Sequence, residues 1–307
     1  MKVVFFGTPY FAAEILKYLV ENNIDICAVV TQKDAFNRKA IIPEVKKEAA
    51  EILDVPIFQP HKASDPAFIE ELRKFNADLF IVVAYGQILK KELLDIPRKD
   101  AINVHASILP KYRGAAPIER AIWEGEEKTG ITIMKMVAKL DAGDIIATDE
   151  VYIDPDMTSK ELKQKLLEIA KPLLLETIHL FEKDQISYEK QDDKYSTYAH
   201  KIEKEDLLLD FNKDAKSLHN QIRALSPSPG ARVEILLNGV KKYLKILKSK
   251  IIDQKSEPKK IICFEKDNFI IGCNGQALQI LELQLEGKRA MNASDFIKGV
   301  KNKIEII

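Results

Sequence analysis

Residues 1–105 alternate short, largely apolar runs with longer stretches of helical periodicity, and few folds accommodate that alternation. Lys2–Phe6, Ile26–Thr31, Ala77–Ala84 and Ala101–Val104 are β-prone and nearly free of polar residues, so both faces of each strand must be covered. Between them, Phe11, Ile15, Leu16 and Leu19 recur at helical spacing, and Glu44–Leu53 and Pro66–Phe75 read as helices. Strands that alternate with helices predict a Rossmann-like α/β domain around a parallel sheet. Such sheets carry their chemistry outside the carboxyl ends of the strands, near a topological switch point. The first loop, Gly7-Thr8-Pro9-Tyr10-Phe11, is not G-x-G-x-x-G, so the dinucleotide fingerprint is absent.

The second half reads differently. Thr158 and Glu161 form a capping box, and Leu162, Leu166, Ile169 and Leu173 continue one helical face to about Lys183. Pro172 is expected to kink this helix. Tyr188–Lys204 is polar and poor in aliphatics, as an extended linker would be. The expected division is therefore 1–188 for the first domain, 189–205 for the linker and 206–307 for the second domain. In the latter, Ala215–Leu225 reads as a short helix stopped by Ser226-Pro227. Five β-like runs follow at Ala231–Leu237, Tyr243–Leu247, Lys259–Phe264, Phe269–Cys273 and Leu278–Leu285, with turns at Asn238-Gly239 and Asn274-Gly275. Five short strands predict a small OB-like barrel.

Of the 307 residues, 46% are hydrophobic and 31% charged, which excludes wholesale disorder. No apolar run reaches the roughly 18–20 residues that cross a bilayer, and Val3–Phe6 is too short for a secretory h-region, so a cytoplasmic protein is expected. Cys27, Cys263 and Cys273 lack zinc-site spacing and read as structural. The net charge of +0 hides an asymmetry: residues 211–307 carry 18 Lys+Arg against 10 Asp+Glu.

The densest polar signal is the segment from Ala101 to Ile118. Asn103 and His105 lie two apart on an apolar strand, so both point to one face. An amide beside an imidazole suits an oxyanion cradle, although the same spacing also fits a strand-end histidine and a turn asparagine. Further along, Leu140-Asp141-Ala142-Gly143-Asp144 follows a strand-like run, and Gly143 is expected to permit a tight turn that aims Asp141 at the crevice. Alone, such an aspartate is more often an Asx-turn residue. His61, His179, His200 and His219 read as structural or exposed.

Asn103-x-His105, Ser107-Ile-Leu-Pro-Lys-Tyr-Arg-Gly-Ala-Ala-Pro-Ile118 and Leu140-Asp141-Ala-Gly-Asp144 together resemble the signature of folate-dependent formyltransferases. Phe6–Pro9, Val83–Gly86, Arg120–Gly125, Ile222–Pro227 and Gly287–Met291 extend the resemblance through both domains. Within that family the chain is most similar to the branch that acts on charged initiator tRNA. The resemblance implies transfer of a formyl group from 10-formyltetrahydrofolate to methionine on initiator methionyl-tRNA, for translation initiation. Its catalytic residues would be Asn103, His105 and Asp141, without a metal. Ile108, Leu109, Pro110 and Lys111 would line the folate site, and the backbone near Gln87, Ile88 and Leu89 would hold the pterin edge. Lys111 and Arg113 could instead reach the folate carboxylates or RNA phosphates; as lone charges they read as solvated. The alternative within the same chemistry is a formyltransferase acting on an amino sugar or glycinamide ribonucleotide, or a 10-formyltetrahydrofolate hydrolase.

The basic third of the chain fits an RNA partner. Lys241, Lys242, Lys245 and Lys248 crowd one expected strand, where phosphate binding would be salt-dependent. One departure concerns Thr31–Pro43, which is shorter than the family's acceptor-stem loop and has no glycine; Arg38 and Lys39 stand as its tRNA contacts. A monomer is expected.

Overall fold

The computed structural model describes residues 1–37, 39–300 and 304–307, without the side chains of 36–40. Arg38 therefore lies outside the described residues, as does the side chain of Lys39. The chain divides into two compact units, one formed by Met1–Gly114, Thr129–Val151 and Lys163–Tyr198, the other by Ala115–Lys128, Tyr152–Leu162 and Ala199–Ile307.

In the first unit the apolar runs become the strands Lys2–Gly7, Asp25–Val30, Leu79–Val83 and Asp100–His105, joined by Ile57–Phe58, Lys128–Lys135 and Ile145–Tyr152 in a seven-stranded sheet. Leu79–Val83 is buried at every position, as its uninterrupted apolar sequence requires. Lys2–Gly7 pairs in parallel with both Asp25–Val30 and Leu79–Val83. The strand order thus reverses between Lys2–Gly7 and Leu79–Val83, and Asp100–His105 lies one strand beyond that point, also parallel. Lys128–Lys135 departs from the all-parallel expectation, since it pairs antiparallel with Asp100–His105. Phe6, Phe80 and Tyr85 pack ring against ring in the core, with centroids 5.2 and 5.5 Å apart.

The second unit is built mainly on β-strands. Ala231–Leu237, Val240–Ile252, Ile261–Glu265, Asn268–Gly272 and Ala277–Leu285 occupy the five expected positions. Met291–Asn292 and Ile304–Ile306 add two short strands that no alternation in the sequence announces. The paired strands all run antiparallel, and the sheet curls into a nearly closed barrel. Phe269, Ile280, Leu244, Ile222 and Phe296 fill its core, each contributing about 1.5–3 kcal/mol by burial. The helix Ala215–Leu225 begins at Asp214, whose carboxylate accepts the Ser217 N–H at 2.9 Å.

The capping box forms as expected. Glu161 Oε2 accepts the Thr158 N–H at 2.8 Å, and its bonds with Thr158 hold its carboxyl below the usual range. The helix Ser159–Glu182 continues through Pro172. Among the described residues, no helix is long and apolar enough to cross a membrane.

Candidate active site

Asp100–His105 delivers Asn103 and His105 to one face at its carboxyl end, while Ile102 and Val104 fill the opposite face as buried core. Asn103 is half-buried beside Val82 and Met134 of the flanking strands. His105 is buried, and its Nε2 lies 2.9 Å from the Tyr112 carbonyl. A carbonyl only accepts, so Nε2 carries a hydrogen. The other ring nitrogen, Nδ1, faces Asp141 Oδ2 at 3.7 Å. That oxygen also accepts the Gly114 N–H at 2.8 Å, which anchors the carboxylate beside the ring. Residues 36 apart in sequence are thus neighbours at the end of one strand.

Short polar bonds stitch the segment between them to the sheet. Thr132, opposite His105 in the antiparallel pair, donates its hydroxyl to the Ser107 carbonyl at 2.7 Å and accepts the Leu109 N–H at 3.2 Å. The Ser107 hydroxyl donates to the Lys111 carbonyl at 2.7 Å. Tyr112 takes a left-handed conformation, with φ of 59°, and its N–H donates to the Thr197 hydroxyl at 2.9 Å. This turn aims the Tyr112 carbonyl at His105.

The turn at Asp141 is built otherwise than its sequence suggests. The left-handed residue is Asp141 itself, with φ of 46°, a region aspartate tolerates better than most side chains. Gly143 serves close approach instead: a Cβ there would fall 1.8 Å from the Lys135 carbonyl oxygen. Lys135 N–H donates to the Asp144 carbonyl at 2.9 Å, fixing the turn to the strand edge.

Gln191 closes the turn from the other side. Its Nε2 donates to the carbonyls of Asp141 and Gly143 at 2.9 and 2.7 Å. Its Oε1 accepts from Arg113 Nε and Nη2 at 3.1 and 2.7 Å. Arg113 is fully buried and pairs with Asp193 at 2.8 Å. The reading of Arg113 as a solvated charge is therefore overturned: its guanidinium is an internal strut.

The residues assigned to the folate site are dispersed in exposure. Leu109 is buried, Ile108 and Pro110 are half-buried, and Lys111 is exposed. Leu89 belongs to the core, whereas Ile88 is 81% exposed. Gln87 spends its side-chain oxygen on the Ala63 N–H at 2.8 Å. Nearby, the Tyr85 carbonyl accepts from both Thr8 and Gln32, tying together three loops at the carboxyl ends of the strands. The buried hydroxyls of Tyr85 and Thr31 have no partner among the described residues, and burial pushes the Tyr85 phenol up to about 12.

Of the lysines assigned to tRNA, Lys241 and Lys245 share one face of Val240–Ile252, and Lys242 points to the other. The ladder register shifts at Leu247, so exposed positions pass from odd to even numbers and Lys248 and Lys250 return to the solvent side. Lys241 is bonded to Glu234 at 2.9 Å. The remaining histidines have structural partners where these are seen: His219 is buried against Ser249 and Pro155, and His179 pairs with Glu182. Burial lowers the His219 imidazole. The three cysteines are free thiols.

Residues 1–178 match the formyl transferase family, and 201–301 match the formyl transferase C-terminal domain. The chain belongs to the formyl transferase family. It is 44% identical to the methionyl-tRNA formyltransferase of Protochlamydia amoebophila, over 100% of this chain and 98% of the relative. The corresponding protein of Geobacter metallireducens is 39% identical, covering 98% of this chain and 96% of its own. Among solved structures, the sugar 3N-formyl transferase WlaRD aligns with a TM-score of 0.66 at 22% identity, covering 94% of this chain and 99% of that one. HypX from Aquifex aeolicus aligns with a TM-score of 0.67 at 18% identity, over 99% of this chain and 48% of that one. The two solved structures share the fold, and the two methionyl-tRNA formyltransferases match this chain over nearly their whole length.

Three features of the site had no clear sequence signal. Gln191 lies in the segment that reads as a linker, and its bonds run largely to backbone carbonyls, which leave no trace in side-chain patterns. The burial of Arg113 follows from its partners in that same segment. Tyr85 is visible only as part of the Val83–Gly86 motif.

Proposed function

We propose that the chain transfers the formyl group of 10-formyltetrahydrofolate to the α-amino group of methionine esterified to initiator tRNA, as a monomeric cytoplasmic enzyme. The observation that carries the reading is the meeting of His105 and Asp141 at 3.7 Å in a chain related end to end to methionyl-tRNA formyltransferases.

The chemistry sets three demands. The amine must be neutral when it attacks the formyl carbon, the carbonyl oxygen gains charge in the tetrahedral intermediate, and the folate nitrogen must leave with a proton. Asn103 supplies an amide donor for the oxyanion, and His105, whose Nε2–H is held by the Tyr112 carbonyl, adds a second donor from Nδ1 once it is protonated beside Asp141, each donor worth on the order of 2.7–4 kcal/mol when well placed. Asp141 accepts the proton shed by the amine and, with His105, returns it to the leaving nitrogen, a contribution of roughly 10²–10⁴-fold. The C–N bond to the methionine forms first, giving the tetrahedral intermediate, and the C–N bond to the folate breaks as that intermediate collapses, with one proton moved in all from the attacking to the leaving nitrogen. Holding donor and acceptor side by side supplies the entropic part. In this reading Ile108, Leu109, Pro110 and Lys111 and the backbone at Gln87–Leu89 flank the folate, and Lys241, Lys242, Lys245 and Lys248, with Arg38 and Lys39, meet tRNA phosphates.

The test is formylation of methionyl-tRNA by the purified protein supplied with 10-formyltetrahydrofolate. Transfer to an amino sugar without transfer to methionyl-tRNA would replace this reading with the small-amine alternative.

A further inference from the structure

Asp141 occupies a left-handed backbone conformation, which for a side chain other than glycine costs about 1 kcal/mol or more and persists only where the surroundings enforce it. The enforcing contacts are concentrated in one side chain. Both hydrogens of the Gln191 amide nitrogen are used, one on the Asp141 carbonyl and one on the Gly143 carbonyl. Both lone pairs of its oxygen are used as well, by two nitrogens of the Arg113 guanidinium. A flipped amide would set N–H against N–H and oxygen against carbonyl oxygen, so only one orientation is possible. Arg113 is itself immobilised by Asp193, and the next residue, Gly114, donates its N–H to the Asp141 carboxylate. The backbone and the carboxylate of Asp141 are thus held from one strut.

We propose that Gln191 is the positioning residue for formyl transfer, fixing the Asp141 turn so that its carboxylate stands against His105. The inference rests on the formyl transfer proposed above, and it goes further by placing a required group in a segment that reads as linker. Gln191 reaches no reacting atom in this role; it acts through Asp141. A displacement of about 1 Å at a reacting group is worth as much as 10²-fold, and the Asp141 turn has no comparable side-chain clamp among the described residues.

Two variants separate positioning from mere support. Gln191→Glu keeps the shape and the acceptor for Arg113 but opposes two carbonyls with a carboxylate, so the clamp opens while the Arg113 contact survives. Gln191→Met keeps the volume and removes every hydrogen bond. In both, kcat for methionyl-tRNA is expected to fall by about 10- to 100-fold, with the KM for 10-formyltetrahydrofolate changed by less than about 3-fold. Hydrogen exchange of the Gly114 amide, which needs no turnover, is expected to quicken by about 10-fold as Asp141 Oδ2 leaves it. A variant that loses only thermal stability, with kcat and Gly114 exchange at wild-type values, overturns the inference. So does a lowered kcat with Gly114 exchange unchanged. A wild-type protein that leaves methionyl-tRNA unformylated instead refutes the proposed function, and the exchange measurement then still decides whether Gln191 holds Asp141.

Discussion

Replacing Asp141 with asparagine removes one charge and little else. The Gly114 N–H now bonded at 2.8 Å retains an acceptor in the amide oxygen, and Gln191 holds the backbone carbonyls of the turn rather than the side chain. The fold should therefore survive, with a Tm within a few degrees of wild type. What disappears is the proposed proton acceptor and the negative charge 3.7 Å from His105 Nδ1. Removing a general base of this kind lowers rates by roughly 10²–10⁴-fold, equivalent to about 2.7–5.4 kcal/mol of barrier. The assay is single-turnover formylation of methionyl-tRNA at saturating 10-formyltetrahydrofolate, with circular dichroism melting as the control. An Asp141→Asn protein that melts normally and retains a rate within about 3-fold of wild type would refute the assignment of proton transfer to this carboxylate.

Other perturbations act on stability and on the proposed RNA contact. Gly143→Ala sets a Cβ 1.8 Å from a backbone oxygen and should destabilise by at least about 1–3 kcal/mol, read by chemical denaturation; an unchanged midpoint would mean that the turn yields freely. Asp193 has its carboxyl lowered from the ordinary 3.8 chiefly by hydrogen bonds from Lys139 and Arg113. A depressed carboxyl stabilises the fold above its unfolded value and loses that contribution as pH falls through the folded value. The stability of wild type over Asp193→Asn should thus be full at neutral pH, begin to fade as pH approaches the ordinary 3.8 and vanish only below the lower folded value, measured by thermal melts across pH. Lys245→Ala with Lys248→Ala should raise the KM for tRNA and leave kcat unchanged. The same pair should flatten the slope of log affinity against log salt by about 1 for each phosphate that is no longer neutralised; an unaltered slope would remove these lysines from the interface.

Much of the fold was legible because burial on both faces demands unbroken apolar runs, as in Leu79–Val83, and because Thr158 and Glu161 mark a helix start by their chemistry. The direction of Lys128–Lys135 was not legible, since an apolar strand reads alike whether its neighbour runs parallel or antiparallel. The phase shift at Leu247 was hidden for a similar reason: a bulge adds one residue without changing composition. Asn103, His105 and Asp141 stood out by residue type and order, yet their proximity depends on backbone turns at Tyr112 and Asp141. Gln191 and Arg113 were misplaced by polarity itself, because a buried polar cluster whose partners are mutual and backbone-directed has the composition of a solvated segment.

The central claim is tested most directly by supplying the purified protein with 10-formyltetrahydrofolate and comparing initiator with elongator methionyl-tRNA side by side. The account predicts N-formylmethionine on the initiator tRNA, abolished by His105→Ala in a protein that still folds. An untouched initiator methionyl-tRNA, or undiminished formylation by the His105→Ala protein, would contradict it.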